Sequence, residues 1–141
     1  MALRSKSLFL YNYTITSLNR SLDFRAVALG PVLLAQLRIG DYSLTDLLIE
    51  IKRALEVADP LRTYTVTADR TFSGGTQNRV TIASSGLYLD LLFASGPRVG
   101  SSVAPIIGFA AVDRVGGVSY QGTSSTGTSL VTEYILSLIH I

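Results

Sequence analysis

Few side chains in this sequence combine a reactive type with a useful spacing. His140 is the single histidine, and it stands near the end of an apolar run, LVTEYILSLIHI. A nucleophilic triad or a histidine metal site needs partners that this run lacks, so His140 reads as a surface or interface residue. There is no cysteine, which excludes disulfides, thiolate metal sites and cysteine nucleophiles. Ten carboxylates remain. Paired-carboxylate hydrolysis needs two of them across a cleft, about 5 to 10 Å apart. Asp23, Asp41, Asp69 and Asp113 read as strand-end or turn residues, where Asp caps backbone groups. Asp90, in LYLDLLF, is interior to a strand and is expected to face solvent. The glycine-rich stretch FSGGTQNR lacks P-loop spacing and its Lys-Ser/Thr pair, and GPRVG does not lead into a suitable helix. Tyr11, Tyr13 and Phe24 could stack on bases or sugars, but alternate aromatics on a strand read first as core or subunit contacts. No catalytic, cofactor-binding or metal-binding residue is assigned, and no small-molecule substrate is expected.

The elements that would position these residues are legible from periodicity. The stretch GDYSLTDLLIEIKRALEVADP is the clearest helix, predicted over 43–58. Ser43 is its N-cap, with Asp46 three residues on, in the pattern of a capping box. Leu44, Leu47, Leu48, Ile51, Ala54 and Leu55 recur at the spacing of one buried stripe. Glu50, Lys52, Arg53 and Glu56 fall mostly on the opposite face. Asp59-Pro60 ends the helix, since the residue before proline disfavours the α region.

Around this helix the chain alternates like strands. Leu8–Thr16 has Phe9, Tyr11, Tyr13 and Ile15 on one parity, and Leu22–Val27 has Leu22, Phe24 and Ala26. With a turn at SLNRS, where Asn19 can take a left-handed conformation, these two predict an N-terminal hairpin. Val32–Ile39 is a third strand, and Gly40-Asp41 a turn into the helix. Beyond the helix, Thr63–Ala68, Arg79–Ser84 and Leu87–Phe93 predict a three-stranded meander, with Gly74-Gly75 at the first hairpin tip. Ala94–Ser102 is a loop, and Ser102–Phe109 a tight helical turn with Ile106, Ile107 and Phe109 inward. Asp113–Gly117, DRVGG, is a further turn. Residues 122–129, GTSSTGTS, read as a flexible linker. The last segment, 130–141, is strand-like and apolar on both parities, which calls for two covering surfaces. The expected class is therefore α+β: an antiparallel sheet or small β-sandwich with one main amphipathic helix. It is laid out as a body over 1–121, the linker, and a terminal strand that docks in the core or between subunits.

Composition narrows the partners. Of 141 residues, 48% are hydrophobic and 16% charged, against a usual charged share of about 25%. Mean hydropathy is +0.39. A chain this poor in charge is expected to cover its apolar excess by assembling. Net charge is +2, with the basic residues scattered, so nucleic acid is an unlikely partner. The run Leu8–Leu10 is too short for a signal core, and Val99–Val112 is broken by Gly, Ser and Pro, so no membrane span is expected. A reducing cytosol fits the absence of cysteine.

The order of these segments resembles a group of small virion structural proteins of tailed bacteriophages. The shared pattern is an L-x-F strand, a G-x-Y-x-x-x-x-L helix opening, a Y-x-V-x-x-D strand, a T-I pair, and a final G-F…D…G…S-Y segment. Leu22 and Phe24 match the first, and Gly40, Tyr42 and Leu47 the second. Tyr64, Val66, Asp69, Thr81 and Ile82 match the middle; Gly108, Phe109, Asp113, Gly116, Ser119 and Tyr120 match the last, with Ile107 in place of a leucine. The resemblance spans roughly Leu22 to Tyr120. It implies a tail, baseplate or neck component, made in the host cytoplasm and present in several copies in the virion, with no catalytic residues to carry over. Its partners would be copies of itself and other virion proteins. The interface residues expected from the sequence are Phe9, Tyr11 and Tyr13 in the first strand, and Tyr134, Ile135, Leu136 and Ile139 in the last. The alternative is a host-surface or glycan-binding module of a fibre or spike, working through the loops Asp69–Asn78 and Gly122–Thr128. A hydrolase is a third reading, and it requires two carboxylates to converge in a pocket.

Overall fold

A computed structural model describes residues 13–69 and 78–124. Its class is α+β, with antiparallel sheets and one main helix. The elements are β1 (Tyr13–Ile15), β2 (Ser21–Arg25), β3 (Leu33–Gln36), β4 (Gly40–Tyr42), α1 (Leu44–Ala58), β5 (Tyr64–Ala68), β6 (Val80–Ser84), β7 (Leu89–Leu91), a 3-10 turn (Val99–Ser101), β8 (Arg114–Gly117) and β9 (Ser119–Gln121). They form three sheets: β1-β4, β3-β2-β7-β8 and β5-β6-β9.

The helix is built as its sequence predicts. Ser43 Oγ accepts the Asp46 amide at 3.1 Å, and the Asp59 amide closes the far end on the Leu55 carbonyl. All six residues of the predicted stripe are buried. That stripe packs on β3 and on β5, so α1 bridges two sheets. Phe24 of β2 and Tyr64 of β5 meet edge to face behind it, 5.8 Å between centroids. At the other side Tyr120 of β9 donates its hydroxyl to the Leu89 carbonyl of β7 at 2.6 Å, joining the same two sheets again.

Strand pairing departs from the predicted order. β1 pairs with β4, Tyr13 opposite Tyr42, and forms no hairpin with β2. β2 is buried on both faces, so it takes a central place between β3 and β7 and leaves no edge for β1. Gly40-Asp41 is therefore strand where a turn was expected. Asn19 is not left-handed: its amide group ties the turn instead, accepting from the Thr16 amide and donating to the Thr14 carbonyl. The meander also fails at its third strand. β5 and β6 form the expected hairpin, but β7 crosses to β2 and β8, and β9 takes the open edge of β6. β7 is apolar on one face and carries Asp90 on the other, both covered, which suits the middle of the larger sheet. The predicted turn 113–117 is largely β8, entered from Asp113, whose carboxylate accepts the Ala94 and Ser95 amides. The hairpin tip at Gly74-Gly75 lies outside the described residues.

Candidate functional site

The acids are the groups whose surroundings decide whether this fold holds a reactive centre. Four of them are buried: Asp23, Glu50, Asp59 and Asp90. Three of these places correct the sequence reading. Glu50 does not share the solvent face of α1; it turns under the helix to accept the Arg38 amide at 2.8 Å and Arg53 Nε at 2.7 Å. Asp90 does not face solvent either, being 3% exposed. Asp23 is likewise interior to β2 rather than at a strand end.

Each buried acid is held to a structural neighbour. Asp59 accepts the Tyr64 hydroxyl at 2.6 Å and both carboxylate oxygens face Arg62 Nη1 at 3.2 Å. Asp23 Oδ2 accepts the Arg98 amide at 2.8 Å, which pins the 92–102 loop across the outer face of the four-stranded sheet. Its Oδ1 stands 2.8 Å from Arg98 Nη2 as a charge contact, without the angle for a hydrogen bond. Gly96 lies so close beneath that an added Cβ would sit 2.5 Å from Asp23 Oδ2. Asp90 Oδ2 accepts the Tyr88 hydroxyl at 2.7 Å, with Arg25 Nη1 3.9 Å away.

Protonation follows these contacts. Burial pushes the Glu50 carboxyl up, but the Arg53 and Arg38 hydrogen bonds outweigh it and hold it below the ordinary range. Burial also pushes the Asp113 carboxyl up, and its bonds from Ser95 and Ala94 more than reverse that. Burial first, then the neighbouring Asp59, pushes the Tyr64 hydroxyl well above its usual value. The Tyr88 hydroxyl is raised by donating to the Asp90 carboxylate. All of these shifts stabilise the form already present at neutral pH, which suits a scaffold.

Two cavities of about 320 Å³ open on the described surface. One is lined by Arg25, Leu29, Gly30 and Tyr88, the other by a mainly apolar set around Phe93 and Phe109. Among the described residues no carboxylate lines either. Among the described residues no group of three or more His, Cys, Asp or Glu could hold a metal. No described helix is long and apolar enough to cross a membrane.

What the surface does offer is uncovered aliphatic side chain. Leu29, Leu61 and Leu87 are 101%, 86% and 99% exposed. Their turns adjoin. Leu29 shares a cavity with Tyr88, the residue after Leu87, and an added Cβ at Gly86 would sit 2.9 Å from Arg62 Nε, next to Leu61. Leu29 is also held at φ 60, a left-handed conformation that leucine rarely adopts.

Of the interface residues expected from the sequence, only Tyr13 is described. It is 4% exposed and packs in the chain's own core. Phe9, Tyr11, Tyr134, Ile135, Leu136 and Ile139 lie outside the described residues, as do His140 and most of the 122–129 linker. Sequence reasoning missed the leucine-bearing turns and the buried acids. The acids had a signal, since Asp23 in LDF and Asp90 in LDL each stand between apolar neighbours. The chain matches no known protein-family model and no curated protein.

Proposed function

We propose that this chain is a non-enzymatic structural subunit of a tailed-phage particle, a tail, baseplate or neck component that works by being fitted against copies of itself and other virion proteins. The observation that carries this is the cluster of leucine-bearing turns, with Leu29, Leu61 and Leu87 almost fully exposed. A single exposed aliphatic residue means little, but large ones gathered on adjoining turns mark a contact surface. Leu29 adds to the argument because a left-handed leucine costs about 1 kcal/mol that glycine would avoid. Such local strain suits a residue retained for what it touches.

The resemblance to phage structural proteins is compatible with this use. Its positions are mainly those that hold the fold: Leu47, Tyr64, Ile82, Phe109 and Tyr120 are core residues, and Gly108 and Gly116 take left-handed turns. The engaged acids support the same reading, since each fixes a loop or a helix end.

The test is the native mass of the full chain, whose single copy weighs 15.1 kDa. Light scattering at tens of micromolar protein is expected to give a multiple of that mass, by the ordinary concentration range of weak assembly. Replacing Leu29, Leu61 and Leu87 together by serine is expected to lower it while leaving the far-ultraviolet circular dichroism unchanged. A monomer in both cases would overturn the reading.

A further inference from the structure

Strands of both larger sheets turn at one end of the domain. β2 stops there opposite the start of β3 and of β7, and β6 stops opposite the start of β5. The connecting turns carry Leu29, Leu61 and Leu87. Among them is a hollow of about 320 Å³, lined by Arg25, Leu29, Gly30 and Tyr88. Leu29 is its wall, held at φ 60. Gly30 keeps that turn tight, since an added Cβ would sit 2.3 Å from Val27 Cγ2. Leu87, the residue before Tyr88, is 99% exposed and so does not enter the hollow of its own chain. A knob and a hollow therefore stand side by side on one surface. A dry cavity of about 150 Å³ holds one benzene-sized group, so this hollow admits a leucine side chain with part of its mouth still open.

Charge decides what kind of partner suits such a surface. A two-fold contact sets a patch against its own copy, so a patch with a strong net charge repels itself. Residues 26–37 and 82–89 contain no charged side chain. Arg25 and Arg62, at the feet of these turns, each face a buried acid of their own chain, Asp90 at 3.9 Å and Asp59 at 3.2 Å. The patch is thus neutralised from within. It offers little pull to phosphates or to an acidic peptide, and little repulsion to a second copy.

We propose that Leu87 of each copy seats in the Arg25–Leu29–Tyr88 hollow of a second copy, around a two-fold axis. This rests on the assembly reading above and names its partner and seat. The contact is reciprocal: each chain supplies one knob and one hollow, and Leu61 on the adjoining turn comes under the same cover.

The absence of cysteine makes the test clean. Tagged full-length chain carrying Leu87→Cys is mixed with untagged chain carrying Leu29→Cys and oxidised. Both substitutions replace exposed side chains, so the fold is kept. The unlike disulfide pair is expected to exceed either like pair by about tenfold or more. No such excess is expected when Leu18→Cys, in the turn before β2, replaces Leu29→Cys. Disulfides only in the proportions of random collision, together with a multimeric native mass of the wild type, overturn the seat and leave assembly standing. No disulfide together with a single-copy mass overturns both. Flotation of the wild type with phosphatidylcholine vesicles, without an excess of the unlike pair, assigns the leucines to lipid and overturns the second copy.

Discussion

The two sides of this domain are finished to different degrees. On the helix side, α1 is capped at both ends, and Leu47, Ile51 and Leu55 are wholly buried against β3 and β5. The acids there, Glu50 and Asp59, have partners on both oxygens. On the loop side, around 92–109, Asp23 Oδ1, Asp90 Oδ1 and Arg98 Nε are buried without a hydrogen bond, and the groove beside Phe93 and Phe109 stays open to Leu18 and Val99. Buried polar groups cost free energy when unpaired, and apolar groups cost it when wet. The helix side has partnered Glu50 and Asp59 and dried the inner stripe of α1 within one chain, and leaves Ile49 and Val57 exposed on the outer face of that helix. On the loop side Asp23 Oδ1 has only its charge contact with Arg98, and the groove and the leucine-bearing turns stay open, so that is where a neighbouring chain would add most.

The largest effect expected from this contrast is on stability. Phe24→Ala removes a fully buried ring from its edge-to-face contact with Tyr64, and should cost about 3–5 kcal/mol. Leu18→Ala, at a residue 77% exposed, should change stability by no more than about 0.5 kcal/mol. Urea unfolding of the two variants measures both. Similar losses would erase the distinction between a finished and an open side.

That distinction was only half legible in the sequence. Helix α1 was readable to its caps, because Ser43, the apolar stripe and Asp59-Pro60 are local signals. Strand existence was readable too, since alternation is local, and Tyr64, Ile82 and Phe24 turn inward as their parity predicts. Strand partners were not. Nothing within β1 specifies β4, and nothing within β7 specifies β2; those choices follow from which strands need both faces covered. The buried acids were misread for a related reason. Period-two alternation assigns Asp23 and Asp90 to the outer face of the sheet, correctly, but cannot report that the 92–102 loop lies over part of it. Glu50 was misread because its helical position is near the edge of the stripe, where Arg38 and Arg53 draw it under. The groove arises from segments far apart in sequence, Leu18 and Phe93 to Ala111, and leaves no local trace.

A smaller effect sharpens the helix side. Folding holds the Glu50 carboxyl below its ordinary value of 4.5, so the folded state favours its charged form. The resulting stability is present above the unfolded value and is lost as pH falls through the folded one. Unfolding free energy should therefore decline below about pH 4.5 in the wild type, and Glu50→Gln should lessen that decline. At neutral pH the same variant should cost about 1–2 kcal/mol, for loss of the charge-assisted bonds to Arg53 and Arg38. Undiminished acid sensitivity in Glu50→Gln would mean that other carboxylates, Glu56 and Asp113 among them, carry it.

The smallest expected change in stability separates fold from contact most sharply. Leu29 sits at φ 60, fully exposed, in the turn closed by the Gly30 amide on the Val27 carbonyl. Leu29→Gly removes the left-handed penalty of about 1 kcal/mol but gives back, through unfolded-chain entropy, the lower part of a range of about 0.4–1 kcal/mol. The net should be a gain of about 0.5 kcal/mol in the isolated domain, read as a slightly higher urea midpoint. If Leu29 serves only the fold, the variant should assemble as well as the wild type. If it serves contact, native mass should fall while the midpoint rises. Opposite movement of those two quantities in one variant is hard to obtain from any damage to the core, since core damage lowers both. A variant that loses stability and keeps its mass would place Leu29 among the residues that hold the domain together, and would move the contact surface elsewhere.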